Sequence, residues 1–121
     1  MPDTGKVSYR LPKAALLSKP EEFQAVYRNG KRLRGIEFSL IFIPNGLQTN
    51  RLGISVHGVK KAVQRNRIKR IIREFYRLNR QFISPPSDIV IAVRSGFPPS
   101  SPQDVDRAVK PLLARLPPVS S

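Results

Sequence analysis

The sequence predicts an α+β fold, a small two-layer α/β sandwich in which helices pack on a mainly antiparallel sheet. The chain has 121 residues, enough for one domain with its own core. Segments with helical apolar spacing alternate with segments rich in strand-forming residues, and Pro and Gly separate them. We expect a single domain over residues 18–116, a flexible segment over residues 1–17 and a flexible tail over residues 117–121.

Six elements are predicted along this domain. They are a helix over residues 19–28, two mutually antiparallel strands over residues 31–43 and 51–56, a long helix over residues 60–82, a strand over residues 88–93 and a last helix over residues 101–116. Ser18, Pro20 and Glu21 form a capping-box pattern for the first helix, and Gly30 is expected to end it in a left-handed conformation. Pro111 predicts a kink or an early end in the last helix.

Positive charge dominates the chain and is concentrated in one predicted helix. The formal net charge is +14, from 22 basic and 8 acidic residues, and the pI is about 11.3. Residues 60–80 contain nine of the basic residues. On a helix, one arc of this segment is apolar, formed by Ile68, Ile71, Ile72, Phe75 and Leu78. Most of another arc is basic, formed by Arg65, Lys69, Arg73, Arg77 and Arg80. Solubility surfaces mix both signs, so this one-signed surface predicts a polyanion partner.

Composition excludes several classes of protein. The chain has no cysteine, which excludes disulfides, thiolate catalysis and cysteine-based zinc sites. No segment has the roughly 18 consecutive apolar residues of a membrane span. The first residues lack the apolar stretch of a secretory signal. We therefore expect a cytoplasmic protein with no membrane partner.

The sequence offers no catalytic residue and no metal site. His57 is the single histidine, and a lone histidine is more often structural than a catalytic base. The acids at predicted helix starts, Glu21, Glu22, Asp104 and Asp106, suit the helix dipole. A metal-dependent nuclease needs clustered carboxylates to hold Mg²⁺. If the chain takes part in catalysis, another molecule must supply the metal site.

Binding chemistry is richer than catalytic chemistry. Asn66 offers both a donor and an acceptor within the basic helix. A second basic cluster follows the first helix and contains Arg28, Lys31, Arg32 and Arg34. Phe23 and Tyr27 are either core residues, which their periodicity favours, or stacking platforms for unpaired bases.

The stretch from Ala62 to Arg77, AVQRNRIKRIIREFYR, resembles the signature of the bacterial ribonuclease P protein family. Its centre is the triplet Arg65-Asn66-Arg67. Three further segments, residues 22–32, 51–56 and 88–94, resemble the family's first helix and the strands before and after the basic helix. They occur in the family's order and spacing, so the resemblance covers about residues 16–116.

The resemblance implies the small subunit of a ribonucleoprotein endonuclease that removes the 5′ leader of precursor tRNA. In this family one protein associates with one ribonuclease P RNA, and that RNA subunit holds the catalytic Mg²⁺ ions. A left-handed strand–helix–strand crossover is also implied, against the usual right-handed rule, in a fold like domain 2 of ribosomal protein S5.

The resemblance also assigns residues by position. The implied RNA-binding residues are Arg65, Asn66, Arg67, Lys69, Arg70 and Arg73, and we add the basic residues Lys60, Lys61 and Arg77 of the same segment to this prediction. The implied residues of the leader groove, between the first helix and the sheet, are Phe23 and Tyr27, and we add Arg28, Lys31 and Arg32 of the second basic cluster to this prediction.

One stretch departs from the family. Relatives usually carry a basic pair and then a glycine directly after the strand, whereas here His57 and Gly58 precede Lys60 and Lys61. The placement of this charge relative to the strand is therefore open. The alternatives are a non-enzymatic RNA-binding protein of ribosomal type and a helix-turn-helix DNA-binding protein. A strand before the basic helix disfavours the latter.

Overall fold

The computed structural model describes residues 15–80, 82–97 and 100–115. These residues form three helices and four strands. The helices are α1 (Pro20–Asn29), α2 (Ala62–Leu78) and α3 (Pro102–Leu113), and the strands are β1 (Lys31–Gly35), β2 (Phe38–Pro44), β3 (Arg51–His57) and β4 (Ser87–Arg94).

The four strands form one mixed sheet in the order β1-β2-β4-β3. Strand β2 pairs antiparallel with β1 and β4, whereas β3 pairs parallel with β4. The predicted α+β fold with a mainly antiparallel sheet is confirmed. Strands β2 and β3 run in opposite directions as predicted, but β4 lies between them. Helix α2 provides the crossover from β3 to the parallel strand β4, and the hand of that crossover stays a prediction.

The single strand predicted over residues 31–43 is wrong, because a hairpin divides it. Gly35 pairs with Phe38, so Ile36 and Glu37 form a two-residue connection between β1 and β2. Glu37 has a positive φ of 58°, a conformation for which Asn, Asp and Gly are the usual hairpin residues. Ile36 is 91% exposed at the tip. Neither residue is typical of such a turn, so the pattern alone did not reveal it.

One face of the sheet packs on α2 and α3 and forms the larger core. Its buried residues are Leu33, Phe38, Leu40, Leu52, Ile89, Ile91 and Val93 from the sheet, Ile68, Ile72, Phe75 and Tyr76 from α2, Val105, Val109 and Leu112 from α3, and Ala15 and Ile83 from the connecting segments. The predicted apolar arc of α2 is confirmed except at Leu78, which is 56% exposed. Tyr76 is fully buried instead, and its hydroxyl donates to the carbonyl of Asn50 at 2.6 Å.

The opposite face of the sheet packs on α1. Val26 is fully buried against Ile41 and Val90. Phe23 lies over Gly53, where an added Cβ would be 2.6 Å from the Phe23 ring. Glycine at position 53 therefore allows α1 to approach the sheet.

The start and end of α1 differ from the prediction. Lys19 is the N-cap, and the Glu22 carboxylate accepts from the backbone N–H groups of Ser18 and Lys19, each at 3.0 Å. The reciprocal acid is thus Glu22 rather than Glu21. These two backbone hydrogen bonds are the main reason that the pKa of Glu22 is lowered. Gly30 is extended, with φ −82°, so the predicted left-handed conformation is wrong. Glycine is needed there because a Cβ would lie 2.5 Å from the Val26 carbonyl.

Helices α2 and α3 are shorter than predicted. Helix α2 starts after its N-cap, Lys61, and the Asn79 side chain donates to the Phe75 carbonyl at 2.9 Å where the helix ends. Helix α3 ends at Leu113, two residues after Pro111, in agreement with the expected early end.

The predicted flexible segment lies mostly outside the described residues, as does the predicted tail. Residues 15–17 are described, and they pack on the sheet. Ala15 and Leu17 are buried, and the Leu17 N–H donates to the Leu52 carbonyl at 2.8 Å. Residues 15–17 therefore belong to the packed part of the chain.

Candidate nucleic-acid interface

Helix α2 presents its basic residues on the side away from the sheet. Asn66, Arg67, Arg70 and Arg73 are exposed, whereas Lys69 is half-buried. Helical spacing places these exposed residues opposite the buried arc that starts at Ile68. Lys60 and Lys61 are exposed just before the first turn of the helix. Six of the nine predicted RNA-binding residues thus share one open surface: Lys60, Lys61, Asn66, Arg67, Arg70 and Arg73. We call these six the α2 surface.

Arg65 and Arg77 have different surroundings from the α2 surface. The Arg65 guanidinium donates through Nη1 to the carbonyls of Val59 and Lys60, at 2.9 and 2.7 Å. Arg65 therefore fixes the segment that leads into α2. Arg77 pairs with the carboxylate of Glu74 one turn earlier, and this hydrogen-bonded pair lowers the pKa of Glu74.

The connection between β3 and α2 shows where the lysine pair lies relative to the strand. Gly58 follows the last residue of β3 with a φ of 78°, a conformation that favours glycine. The chain turns there, and Arg65 closes the turn from inside the helix. Lys60 and Lys61 consequently belong to the start of α2 rather than to the end of β3.

Arg80 does not belong to the basic arc, contrary to the prediction. It follows the end of α2, and its guanidinium carbon lies 5.4 Å from the centre of the Tyr76 ring. Its backbone carbonyl accepts from the buried side chain of Asn50 at 2.8 Å. Arg80 therefore packs against Tyr76 near the C-terminal end of α2. It also lines a separate cavity of about 400 Å³.

A cleft of about 310 Å³ lies on the α1 side of the sheet. Phe23 and Tyr27 of α1 form one wall. Both rings also pack against the smaller core between α1 and the sheet, which consists of Leu17, Val26, Ile41 and Val90. The sequence left core and stacking roles open for these rings, and their half-buried positions are compatible with both. Arg32 lines the cleft with its guanidinium carbon 5.9 Å from the centre of the Tyr27 ring. Arg28 and Lys31 are exposed near this region but do not line the cleft.

The other side of this cleft was not predicted from the sequence. Besides Phe38, which belongs to the larger core, its lining there is contributed by Ser39, Ser55, His57, Ala92 and Arg94. The Ser55 hydroxyl and the His57 ring nitrogen Nε2 lie 2.7 Å apart. These residues come from three strands, so only the register of the sheet brings them together. Period-two alternation within each strand is the one sequence signal that places them on a common face.

Several carboxylates of the described residues have structural roles. Arg51 donates to both oxygens of Asp88, each at 2.7 Å, and to Glu22 at 3.3 Å, which ties α1 to the sheet. Asp104 accepts from the Ser100 N–H at 2.8 Å near the start of α3. No group of three His, Cys, Asp or Glu that could hold a metal ion occurs among the described residues. The arrangement offers cations and aromatic rings rather than acid–base chemistry.

The fold and these two surfaces define the class: a small basic α+β protein with the features of a nucleic-acid-binding protein. Residues 11–117 match the protein family described as Ribonuclease P. A curated relative, the ribonuclease P protein component of Desulfotalea psychrophila, is 54% identical over 102 residues, which cover 84% of this chain and 85% of the relative. The chain belongs to the ribonuclease P protein family.

Solved structures of the family have the same fold. The ribonuclease P protein from Thermotoga maritima matches with a TM-score of 0.69 and 30% identity, covering 84% of this chain and 96% of that one. The protein from Staphylococcus aureus matches with a TM-score of 0.71 and 27% identity, covering 83% of this chain and 93% of that one.

Membership of the family makes the chain a subunit of ribonuclease P, a ribonucleoprotein of tRNA processing with an RNA partner. The ribosomal-type and helix-turn-helix alternatives are therefore not supported. No helix within the described ranges is long and apolar enough to cross a membrane.

Proposed function

We propose that this chain binds the catalytic RNA of ribonuclease P through the α2 surface and the 5′ leader of precursor tRNA through the cleft beside α1. It thereby assists endonucleolytic removal of the leader, which produces the mature tRNA 5′ end. One protein binds one RNA subunit in this proposal, which rests on family membership and on the two surfaces.

The observation that carries the proposal is the exposure of the α2 surface. Arg67, Arg70 and Arg73 project from a helix whose other side is fixed in the core by Ile68 and Ile72. Arginine presents a planar set of donors that matches phosphate oxygens. Because the helix packs on the core, the backbone that carries these cations is positioned before the RNA binds, and only the arginine side chains have to be ordered.

The cleft suits an unpaired strand of nucleotides. Aromatic faces stack on any base, and Phe23 and Tyr27 supply two of them at one wall. Arg32 places a cation beside the Tyr27 ring, and a guanidinium in this position can bind a backbone phosphate. The leader of precursor tRNA is the part of the substrate that the mature product lacks, so this cleft would distinguish substrate from product.

The catalytic Mg²⁺ ions are assigned to the RNA subunit. The described residues contain no cluster of ligands for a metal ion, and the Asp88 and Glu22 carboxylates are already held by Arg51. Several carboxylates on one site are the usual protein ligands for Mg²⁺. The protein contributes positive charge and positioning in this proposal, and the RNA contributes the metal chemistry.

Reconstitution tests the proposal. The protein is added to a bacterial ribonuclease P RNA at a low Mg²⁺ concentration at which the RNA alone cleaves precursor tRNA poorly. We expect cleavage at the mature 5′ end to be restored. Lysozyme, a basic protein of another fold, controls for charge alone. Equal cleavage with and without the chain would contradict the proposal.

The leader contact has its own test. The reconstituted holoenzyme should bind precursor tRNA more tightly than mature tRNA, because only the precursor fills the cleft. Equal affinity for the two tRNAs would remove the leader from the proposal and leave the RNA-binding role of α2 intact.

A further inference from the structure

The cavity that Arg80 lines lies at the end of the strands opposite to the cleft. Its lining residues come from the segments before β3 and β4 and from the turn after α2. They are residues 48–50, 83, 84 and 86 and Arg80. The cleft instead includes His57 and Arg94, the last residues of β3 and β4. Among the described residues, the two share no lining residue, so the proposed leader contact gives the second cavity no role. We call it the Arg80 cavity.

The walls of the Arg80 cavity are held together by Asn50, which is 3% exposed. Its amide nitrogen donates to the carbonyls of Arg80 and Ile83, at 2.8 and 3.2 Å, and its amide oxygen accepts from the Ser87 N–H at 2.7 Å. Its backbone carbonyl accepts from the Tyr76 hydroxyl at 2.6 Å. One residue thus ties the start of β3 to the end of α2 and the start of β4. The cavity is therefore formed before a ligand binds, as most sites for small ligands are.

Arg80 brings a positive charge to the cavity without a matching acid. Its guanidinium carbon lies 5.4 Å from the centre of the Tyr76 ring, which holds the side chain by a cation–π contact. Its Nε atom is buried and has no hydrogen-bond partner in the described part of the chain. The described residues that line the cavity include no acid. Because a cation partly withdrawn from water needs an anion or an acceptor, this arginine favours a ligand that carries negative charge.

The rest of the lining combines apolar and neutral polar groups. Ile83 and Pro86 offer an apolar wall, and Gln48, Thr49 and Ser84 offer amide and hydroxyl groups at exposed positions. An inorganic anion gains nothing from an apolar wall. A nucleotide carries a phosphate for the guanidinium, a flat base for the apolar wall, and sugar hydroxyls for the amide and hydroxyl groups. The cavity volume lies within the range of small-ligand sites, about 300–1,000 Å³.

The Arg80 cavity lies beyond the C-terminal end of the helix that carries the α2 surface. Arg73 is the last residue of that surface, and α2 ends five residues later at Leu78, about 8 Å along the helix axis. An RNA that binds the α2 surface therefore has nucleotides close to the cavity.

We infer that the Arg80 cavity binds one unstacked nucleotide of the RNA subunit, and this inference rests on the proposed function. The phosphate binds the Arg80 guanidinium, and the base packs on Ile83 and Pro86. The contact extends the RNA-binding surface past the end of α2, to a side of the molecule that the α2 surface does not include.

Filling the mouth of the cavity tests this inference without changing charge. Thr49→Tyr adds a ring at an exposed lining position, and Leu47→Tyr places the same ring at an exposed position of the same loop outside the lining. We expect Thr49→Tyr to weaken binding to the RNA subunit at least about fivefold, the loss expected for one base contact. Leu47→Tyr is the matched control and should bind like the wild type. In base-specific chemical probing of the RNA subunit, one nucleotide should be protected by the wild-type and Leu47→Tyr proteins and not by Thr49→Tyr.

A second variant tests the charge. Arg80→Gln should expose the same nucleotide and reduce the slope of log affinity against log salt by about 0.7–0.9. Arg80 packs on Tyr76, so Thr49→Tyr, at an exposed position, keeps the test decisive if Arg80→Gln fails to fold. Wild-type affinity with an unchanged protection pattern in folded Thr49→Tyr protein would overturn the nucleotide site. A wild-type protein that does not bind the RNA subunit would instead contradict the proposed function itself.

Titration calorimetry separates a nucleotide of the RNA subunit from a free nucleotide. The protein alone is titrated with 5′-nucleoside monophosphates and, for comparison, with inorganic phosphate. Nucleotides should bind more tightly than inorganic phosphate, and Thr49→Tyr should remove this difference. Equal binding of nucleotides and phosphate would contradict the base contact. Nucleotide binding without a protected position in the RNA subunit would overturn the assignment to that RNA.

Discussion

At the residue scale, helical spacing predicted which residues of α2 lie on a common face but not what each basic side chain contacts. Arg65, Arg67 and Arg70 look alike in the sequence, yet Arg65 donates to two carbonyls before α2 while the other two are exposed. The role of Arg65 depends on how the chain turns at Gly58, a conformation that no local pattern specifies. The same limit hid Ser39, Ser55, Ala92 and Arg94, which meet only through strand register.

Arg65→Gln should destabilise the fold. The change removes the donor that holds the Val59 and Lys60 carbonyls, so we expect the free energy of unfolding to fall by about 1–2 kcal/mol. Urea denaturation measures this loss. Arg67→Gln, an exposed site on the same helical turn, should change stability by less than about 0.5 kcal/mol. Equal stability of the two variants would contradict a positioning role for Arg65.

The ion pair between Arg51 and Asp88 predicts a stability loss in acid. Burial raises the pKa of Asp88, but hydrogen bonds from Arg51 and Asn45 outweigh this effect and leave the pKa below its usual value. The folded protein therefore binds this proton less readily than the unfolded chain. The stabilisation is present above pH of about 4 and is lost as pH falls through the lowered pKa.

Asp88→Asn should flatten that dependence. We expect the variant to be less stable at neutral pH and to lose less stability between pH of about 5 and 2, as measured by urea denaturation at each pH. Asp106→Asn, which removes the carboxylate of an ion pair at the surface of α3, is the matched control against which the slope of Asp88→Asn is compared. A slope unchanged by Asp88→Asn would show that this carboxylate does not contribute to the acid sensitivity.

At the element scale, apolar periodicity predicted the helices to within a few residues at each end, and connections were predicted poorly. The basic helix, β3 and β4 lie where the pattern places them, within a few residues at each end. The hairpin between β1 and β2 was missed, because Ile36 and Glu37 are not typical turn residues. Gly30 was assigned to the correct end of α1 for the wrong reason, since close backbone approach rather than a positive φ requires it.

The contact between α1 and the sheet makes Gly53 and Phe23 interdependent. Gly53→Ala would place a methyl group 2.6 Å from the Phe23 ring, so we expect a loss of about 1–3 kcal/mol in unfolding free energy. In a Phe23→Ala background, the same substitution should cost much less. A double-mutant cycle of urea denaturation measures the coupling. Additive effects would indicate that the ring does not fix the position of α1.

The exposed arginines of α2 predict the electrostatics of RNA binding. Arg70→Gln and Arg73→Gln should each weaken binding to the RNA subunit and reduce the slope of log affinity against log salt by about 0.7–0.9. The slope is measured by titration at several salt concentrations. Arg107→Gln on α3, where the arginine already pairs with Asp104, is the matched control. A slope that Arg70→Gln and Arg73→Gln leave unchanged would remove both residues from the RNA contact.

At the scale of the whole molecule, the sheet separates two tasks. Helix α2 packs on one face with its basic side outward, and α1 packs on the other face beside the cleft. Charge predicted a polyanion partner, the apolar spacing predicted an α+β fold, and the resemblance from Ala62 to Arg77 predicted the family. The resemblance implied two separate surfaces, but their placement on opposite faces of the sheet was not predictable, because it depends on which strands are neighbours and not on the order of elements along the chain.

Cleavage of precursor tRNA at low Mg²⁺, followed as protein is titrated into the RNA subunit, tests this division most directly. The proposal predicts that wild-type protein saturates near one equivalent. Combined Arg67→Gln, Arg70→Gln and Arg73→Gln should raise the protein concentration needed for half-maximal rate and leave the final rate unchanged. Ala92→Ile should leave that concentration unchanged and lower kcat/KM for the precursor. If both variants changed the same parameter in the same way, the proposal that the two RNAs bind two separate surfaces would be contradicted.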